Sequence, residues 1–127
     1  MKKPGWGLAV ARWIFAACFA VVAALRLTFT ETAHWANPTA DAFYSALRDT
    51  HFLNPLLDVA LLVGSLLLVF HRTAPLGIIV FAPMFLVFFG FHVFLNGTWL
   101  VGTVELASLL GLAWAYRRAF VPLWNYQ

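Results

Sequence analysis

Four ionisable side chains, Arg26, Asp58, His92 and Glu105, lie inside apolar stretches that approach the length needed to cross a bilayer. A charge at the centre of a membrane helix costs roughly 2.5–3.5 kcal/mol on insertion scales, so residues of this kind usually carry a structural or chemical role. One guanidinium, two carboxylates and one imidazole can pair their charges, pass protons or hold a polar head group. His51, in the connection between the first two apolar stretches, is a fifth candidate.

The elements that must position these residues follow from composition. The 127-residue chain is 63% hydrophobic and 10% charged, and its mean hydropathy is +0.85. Soluble domains average about half apolar and a quarter charged, so lipid must be the solvent for most of this surface. Length sets a single domain, residues 1–127. The net charge of +3 does not point to nucleic acid, because the basic residues are few, lie mainly at helix ends and form no aromatic-interleaved stripe. Cys18 is the single cysteine, which rules out an internal disulfide and any Cys-x-x-Cys thiol chemistry; it reads as small apolar packing.

Four runs read as spans, at about 8–29, 55–70, 76–95 and 99–116. The first is too long for a cleavable signal sequence and reads as a retained span. Asn54-Pro55 and Thr73 before Pro75 supply helix starts, and Thr98 can cap the fourth run. Asn96-Gly97 can end the third in left-handed geometry, and Pro83 interrupts its backbone hydrogen bonding. Lys2, Lys3, Arg12, Arg72, Arg117 and Arg118 fall on one side once the chain is threaded, which places both termini in the cytoplasm. Arg12 and His71 read as snorkelling to head groups there, and Tyr116 as one of the interfacial aromatic anchors.

The opposite side carries one long connection, 30–54, with Glu31, His34, Asn37, Asp41, Arg48, Asp49 and His51. Ala40, Phe43, Tyr44, Leu47 and His51 recur at helical spacing after Asn37-Pro38, which predicts a short amphipathic helix lying across the outer mouth. The expected architecture is an all-α membrane protein: a four-helix transmembrane bundle with this short helix in its first outer loop.

At 1.5 Å per helical residue, Arg26, Asp58 and His92 each lie three residues from the outer ends of their helices, with Glu105 roughly 9 Å in. Four helices therefore contribute to one outward-facing layer. Arg26 is expected to pair with Asp58 or Glu105, and His92 with whichever remains. Two carboxylates against one arginine leave a negative charge for a proton or a protonated His92 to neutralise. Glu105 shares a helix stripe with the small residues Gly102 and Ser108. Phe81, Phe85 and Phe88 continue the His92 stripe and can face lipid, fill the core or wall a site for a flat apolar ligand. A metal is a weaker reading, because a two-histidine, one-carboxylate set would need His51 or His34 to fold in.

The stretch from Pro83 to Leu123, with Phe91, His92, Phe94, Leu95, Tyr116, Arg117 and Pro122, resembles the second half of DoxX-like membrane proteins. Leu25-Arg26-Leu27 falls where many relatives carry a Lys-Leu pair. Asp58 falls where they carry a Glu ahead of a Gly, with the spacing to Gly64 departing from the common pattern. The resemblance implies a small four-helix, multi-pass protein of a bacterial inner membrane. It also implies a place beside membrane redox systems, as an accessory or subunit, or as an assembly partner.

The first functional expectation is an accessory or subunit of a membrane redox system that binds a quinone or similar apolar ligand at the outer mouth. Asp58, Glu105 and His92 then handle protons or head-group hydrogen bonds, with Arg26 holding the carboxylates ionised. The alternative is a non-catalytic scaffold whose charges only fix the fold. Partner redox subunits and homo-oligomers both stay open as associates, and a transporter would need oligomers to make a pore.

Overall fold

A computed structural model describes residues 5–29 and 34–125, so Lys2, Lys3 and Glu31 lie outside the described residues. Among the described residues every regular element is helical. Helix α1 spans Trp6–Thr28, α2 Pro38–Asp49, α3 Leu53–Val69, α4 Ala74–Gly90, α5 Trp99–Ala115 and α6 Arg117–Trp124. Helix α4 runs on without a break into a π-helical turn, Phe91–Leu95. Two helices, Trp6–Thr28 and Ala74–Leu95, are long and apolar enough to cross a membrane on their own. The number rises to four if α2 with α3, bent by 90°, and α5 with α6, bent by 74°, each count as one span.

The local sequence accounts for most boundaries. The side chain of Asn37 accepts a hydrogen bond from Thr39 N at 3.0 Å, and Pro38 opens α2 with its φ already helical. Helix α3 starts earlier than its Asn-Pro pair suggests. Leu53 N donates to the Thr50 hydroxyl at 3.1 Å, while that hydroxyl donates to Leu47 O at 2.6 Å. Thr50 thus joins the end of α2 to the start of α3, and Asn54 is buried inside α3 instead of capping it. Thr73 precedes α4 as expected, but its hydroxyl donates back to Leu67 O at 2.6 Å. Gly97 adopts the expected left-handed backbone, φ +73, between the π turn and α5.

Helix α1 packs on α3, α3 on α4, and α4 on α5, with α2 lying against α3 and the π turn. The shared core contains Phe15, Leu61, Leu68, Phe81, Phe85, Leu109 and Leu112. Phe81 and Phe85 are fully buried, so the lower part of the phenylalanine stripe is core and not a lipid-facing surface. Gly77 permits the α3–α4 crossing, because a Cβ there would stand 2.8 Å from Gly64 O. The perimeter is apolar: Ile14, Val21, Leu25, Val63, Leu66, Leu86, Val104 and Leu110 are all exposed. In water that surface would be unstable, and against hydrocarbon it costs nothing.

Candidate functional site

The four ionisable residues separate into two pairs. Arg26 Nε stands 2.9 Å from Asp58 Oδ1. The N–H does not point along that line, so the contact is a close ion pair without an aligned hydrogen bond. Asp58 is fully buried, and its Oδ2 has no hydrogen-bond partner among the described residues. His92 Nε2 faces Glu105 Oε2 at 3.8 Å, beyond hydrogen-bond length. Arg26 therefore takes one carboxylate and His92 lies beside the other, but His92 does not donate to it: Glu105 Oε2 has no hydrogen-bond partner among the described residues.

His92 owes its position to the π turn and to Gly102. A Cβ on Gly102 would lie 2.9 Å from His92 Cβ, so only glycine lets α5 approach the histidine backbone this closely. On its other side the imidazole Nδ1 shares a 2.7 Å hydrogen bond with the Thr98 hydroxyl, which also accepts from Asn96 Nδ2 at 3.0 Å. Thr98, with one proton and two lone pairs, can donate to Nδ1 or accept from it while holding Asn96, so either tautomer of His92 fits. π-Helical turns occur disproportionately at functional sites. Ser108, expected on the inward stripe of Glu105, is instead exposed and donates to Glu105 O at 2.6 Å.

Arg26, His92 and Glu105 face a cavity of about 280 Å³. Its walls are otherwise apolar: Phe19 and Val22 of α1, Leu57 and Leu61 of α3, Val87 and Phe88 of α4, and Phe91 of the π turn. Phe88 is the one member of the phenylalanine stripe that walls the site. The cover comes from the amphipathic helix, as its spacing predicts: Phe43, Tyr44 and Leu47 of α2 line the cavity, and Ala40 is fully buried. The Arg26 guanidinium sits 5.8 Å from the Tyr44 ring centre. Trp35, which the pattern of spacings did not single out, completes the cover by packing edge-on against Phe91 at 4.9 Å. Its indole Nε1 is buried, with no hydrogen-bond partner among the described residues. In the sequence, its place two residues before the Asn37 cap is the signal it carries.

Asp58 does not line the cavity; it lies behind Arg26 and holds it. His51 is not brought in either. It occupies the sharp α2–α3 corner with φ +59, exposed and outside the cavity lining. His34 is exposed near Asp41, at 3.5 Å. Among the described residues no three His, Cys, Asp or Glu side chains converge as a metal-binding group.

The opposite end of the structure holds a polar cluster that corrects the snorkelling expectation. Arg12 is buried, and its Nη1 donates to the Tyr116 hydroxyl at 3.0 Å. His71 Nδ1 shares a 2.8 Å hydrogen bond with the same hydroxyl. Tyr116 itself is buried and does not act as an exposed interfacial anchor. The cluster ties α1 to the α3–α4 turn and to the α5–α6 corner. Helix α6 was not anticipated, since Arg117, Arg118 and Pro122 read as a tail after the fourth span; Arg117 anchors it by donating to Trp114 O at 3.0 Å. The chain matches no protein family, no curated protein and no solved structure.

Proposed function

We propose that this chain is a four-helix transmembrane bundle of the DoxX-like kind, with both termini cytoplasmic, in a bacterial inner membrane. In this reading it serves a membrane redox system as an accessory or subunit, binding a quinone or similar apolar ligand at its outward-facing cavity. One observation carries the proposal: three ionisable side chains converge on a 280 Å³ cavity whose other walls are aromatic and aliphatic. Small-molecule sites have this make-up, a mostly apolar enclosure with a few convergent polar groups. The volume is near the lower edge of the roughly 300–1,000 Å³ typical of such sites, which suits a single ring.

Within this reading Arg26, neutralised by Asp58 behind it, offers hydrogen-bond donors to a ring carbonyl. Glu105 and His92 take or supply the proton of a ring hydroxyl, and Thr98 fixes the imidazole. The test is mass spectrometry of lipid extracts from protein purified in mild detergent, for the wild type and for His92→Ala and Glu105→Gln. Co-purified quinone that falls at least several-fold in both variants supports the proposal. A wild-type preparation without quinone, and unable to take it up when supplied, defeats it.

A second reading rests on the charge balance of the Arg26–Asp58 pair, which neutralises itself without a ligand. It makes the chain a scaffold or assembly partner whose intramembrane charges fix helix register. On that reading Glu105→Gln lowers thermal stability and leaves every ligand-binding signal unchanged.

A further inference from the structure

Of the residues lining the cavity, all but two are buried or half-buried. The exceptions are Val22 of α1, 42% exposed, and Val87 of α4, 50% exposed. Both belong to the apolar perimeter, beside the exposed Val21 and Leu25 on α1 and Leu86 on α4. The helix arrangement explains why an opening lies here. The main packing partner of α1 is α3, and those of α4 are α3 and α5, so α1 and α4 meet mainly through side chains. Toward the α6 end the seam between them is closed by rings: Phe15 lies 5.5 Å and Phe19 4.8 Å from Phe85, centre to centre. One turn beyond Phe19, toward α2, no ring pair among the described residues spans the seam, and the small side chains Val22 and Val87 flank it. The face toward the 34–54 connection is covered instead, by Trp35, Phe43 and Tyr44.

We infer that the cavity is reached sideways from the hydrocarbon, through a slot between Val22 and Val87, and that its ligand is an amphiphile with a long apolar tail. The head rests against Arg26, His92 and Glu105, and the tail lies in the slot and continues into the bilayer. The inference rests on the ligand-binding reading above and adds the route and the tail to it. A compound arriving from water would have to displace the aromatic cover, which is tied to the π turn by the Trp35–Phe91 and Phe43–Phe91 contacts. A compound already dissolved in the bilayer meets only two valines. Lipid chains are as apolar as the slot, so the slot selects by shape and not by hydrophobicity.

The test compares a long-tailed prenylbenzoquinone with its tail-less ring, binding to protein in lipid nanodiscs, read by quenching of tryptophan fluorescence. The double variant Val22→Phe/Val87→Phe narrows the slot on a lipid-facing surface, and Leu86→Phe adds the same bulk beside it as a control. The expected result is at least a tenfold loss of affinity for the tailed quinone in the double variant. The tail-less ring changes less than twofold, and the control affects neither. Val22→Ala/Val87→Ala, which widens the slot and leaves the core untouched, keeps or tightens tailed binding. Equal losses for both ligands, or no loss for the tailed one, overturn the slot while leaving the ligand site standing. Wild-type protein that binds neither compound overturns the ligand site and the slot together.

Discussion

Replacing Arg26 should destabilise the protein more than replacing Asp58, although the two form a single ion pair. At 2.9 Å and an effective dielectric constant near 20, the attraction is about 6 kcal/mol, and the cost of desolvating two charges offsets most of it. The asymmetry arises from burial. The Asp58 side chain is 1% exposed and that of Arg26 26%. Arg26→Met strands a sealed carboxylate whose Oδ2 already lacks a partner, and breaking a buried pair in this way costs about 3–5 kcal/mol. Asp58→Asn strands a guanidinium that is a quarter exposed and one turn from the helix end, so it can carry its charge outward on its aliphatic stem. That loss should stay near 1–2 kcal/mol, discounted from the fully buried case for solvent screening. Arg26→Met/Asp58→Leu removes both charges and should return to within about 1 kcal/mol of wild type. Equilibrium unfolding of detergent-solubilised protein by SDS titration, followed by far-UV circular dichroism, supplies the double-mutant cycle. The reasoning fails if Arg26→Met costs no more than Asp58→Asn, or if the double variant shows the sum of the two single losses.

Two further perturbations test how the helices are held. Tyr116→Phe removes the hydroxyl shared by Arg12 and His71, and leaves a buried guanidinium short of one acceptor. It should cost about 2–3 kcal/mol in the same unfolding assay without altering cavity ligand binding at the other end. Gly102→Ala should cost about 1–3 kcal/mol by overpacking against His92 and broaden or shift the His92 ring resonances in NMR. Gly111→Ala, with nothing within 4 Å of the new methyl group, should be neutral or add up to about 1 kcal/mol of stability.

Depth arithmetic alone brought Arg26, Asp58, His92 and Glu105 to one level, because helical rise is independent of tertiary detail. Amphipathic spacing likewise gave α2 and its inward residues Phe43, Tyr44 and Leu47. What spacing does not carry is contact between remote segments. Arg12 is buried because a hydroxyl from 104 residues away reaches it, and nothing near Arg12 in sequence announces that partner. The close approach of α5 to His92 in the π turn likewise needs Gly102, a glycine that reads only as a small residue on a stripe. His51 lies outside the cavity lining for a related reason: its spacing continues the α2 face, but the helix ends at Asp49 and the corner gives it a left-handed backbone.

The helices alternate in length along the packing order. Helix α1 and the continuous Ala74–Leu95 segment have 23 and 22 residues, about 33–35 Å at 1.5 Å per residue. Helices α3 and α5 have 17 each, about 25 Å. In a bilayer with a hydrocarbon core near 30 Å, the long helices match or exceed the core and the short ones fall several ångströms below it. In the proposed four-span arrangement, the α2–α3 and α5–α6 corners would lie at or inside the interface, on opposite sides of the membrane, and the bilayer would have to thin locally to meet them. A protein with such a rim deforms the lipid around it unevenly. It should therefore collect beside other membrane proteins that also thin the bilayer, and partition away from thick, ordered membrane, whatever occupies its cavity.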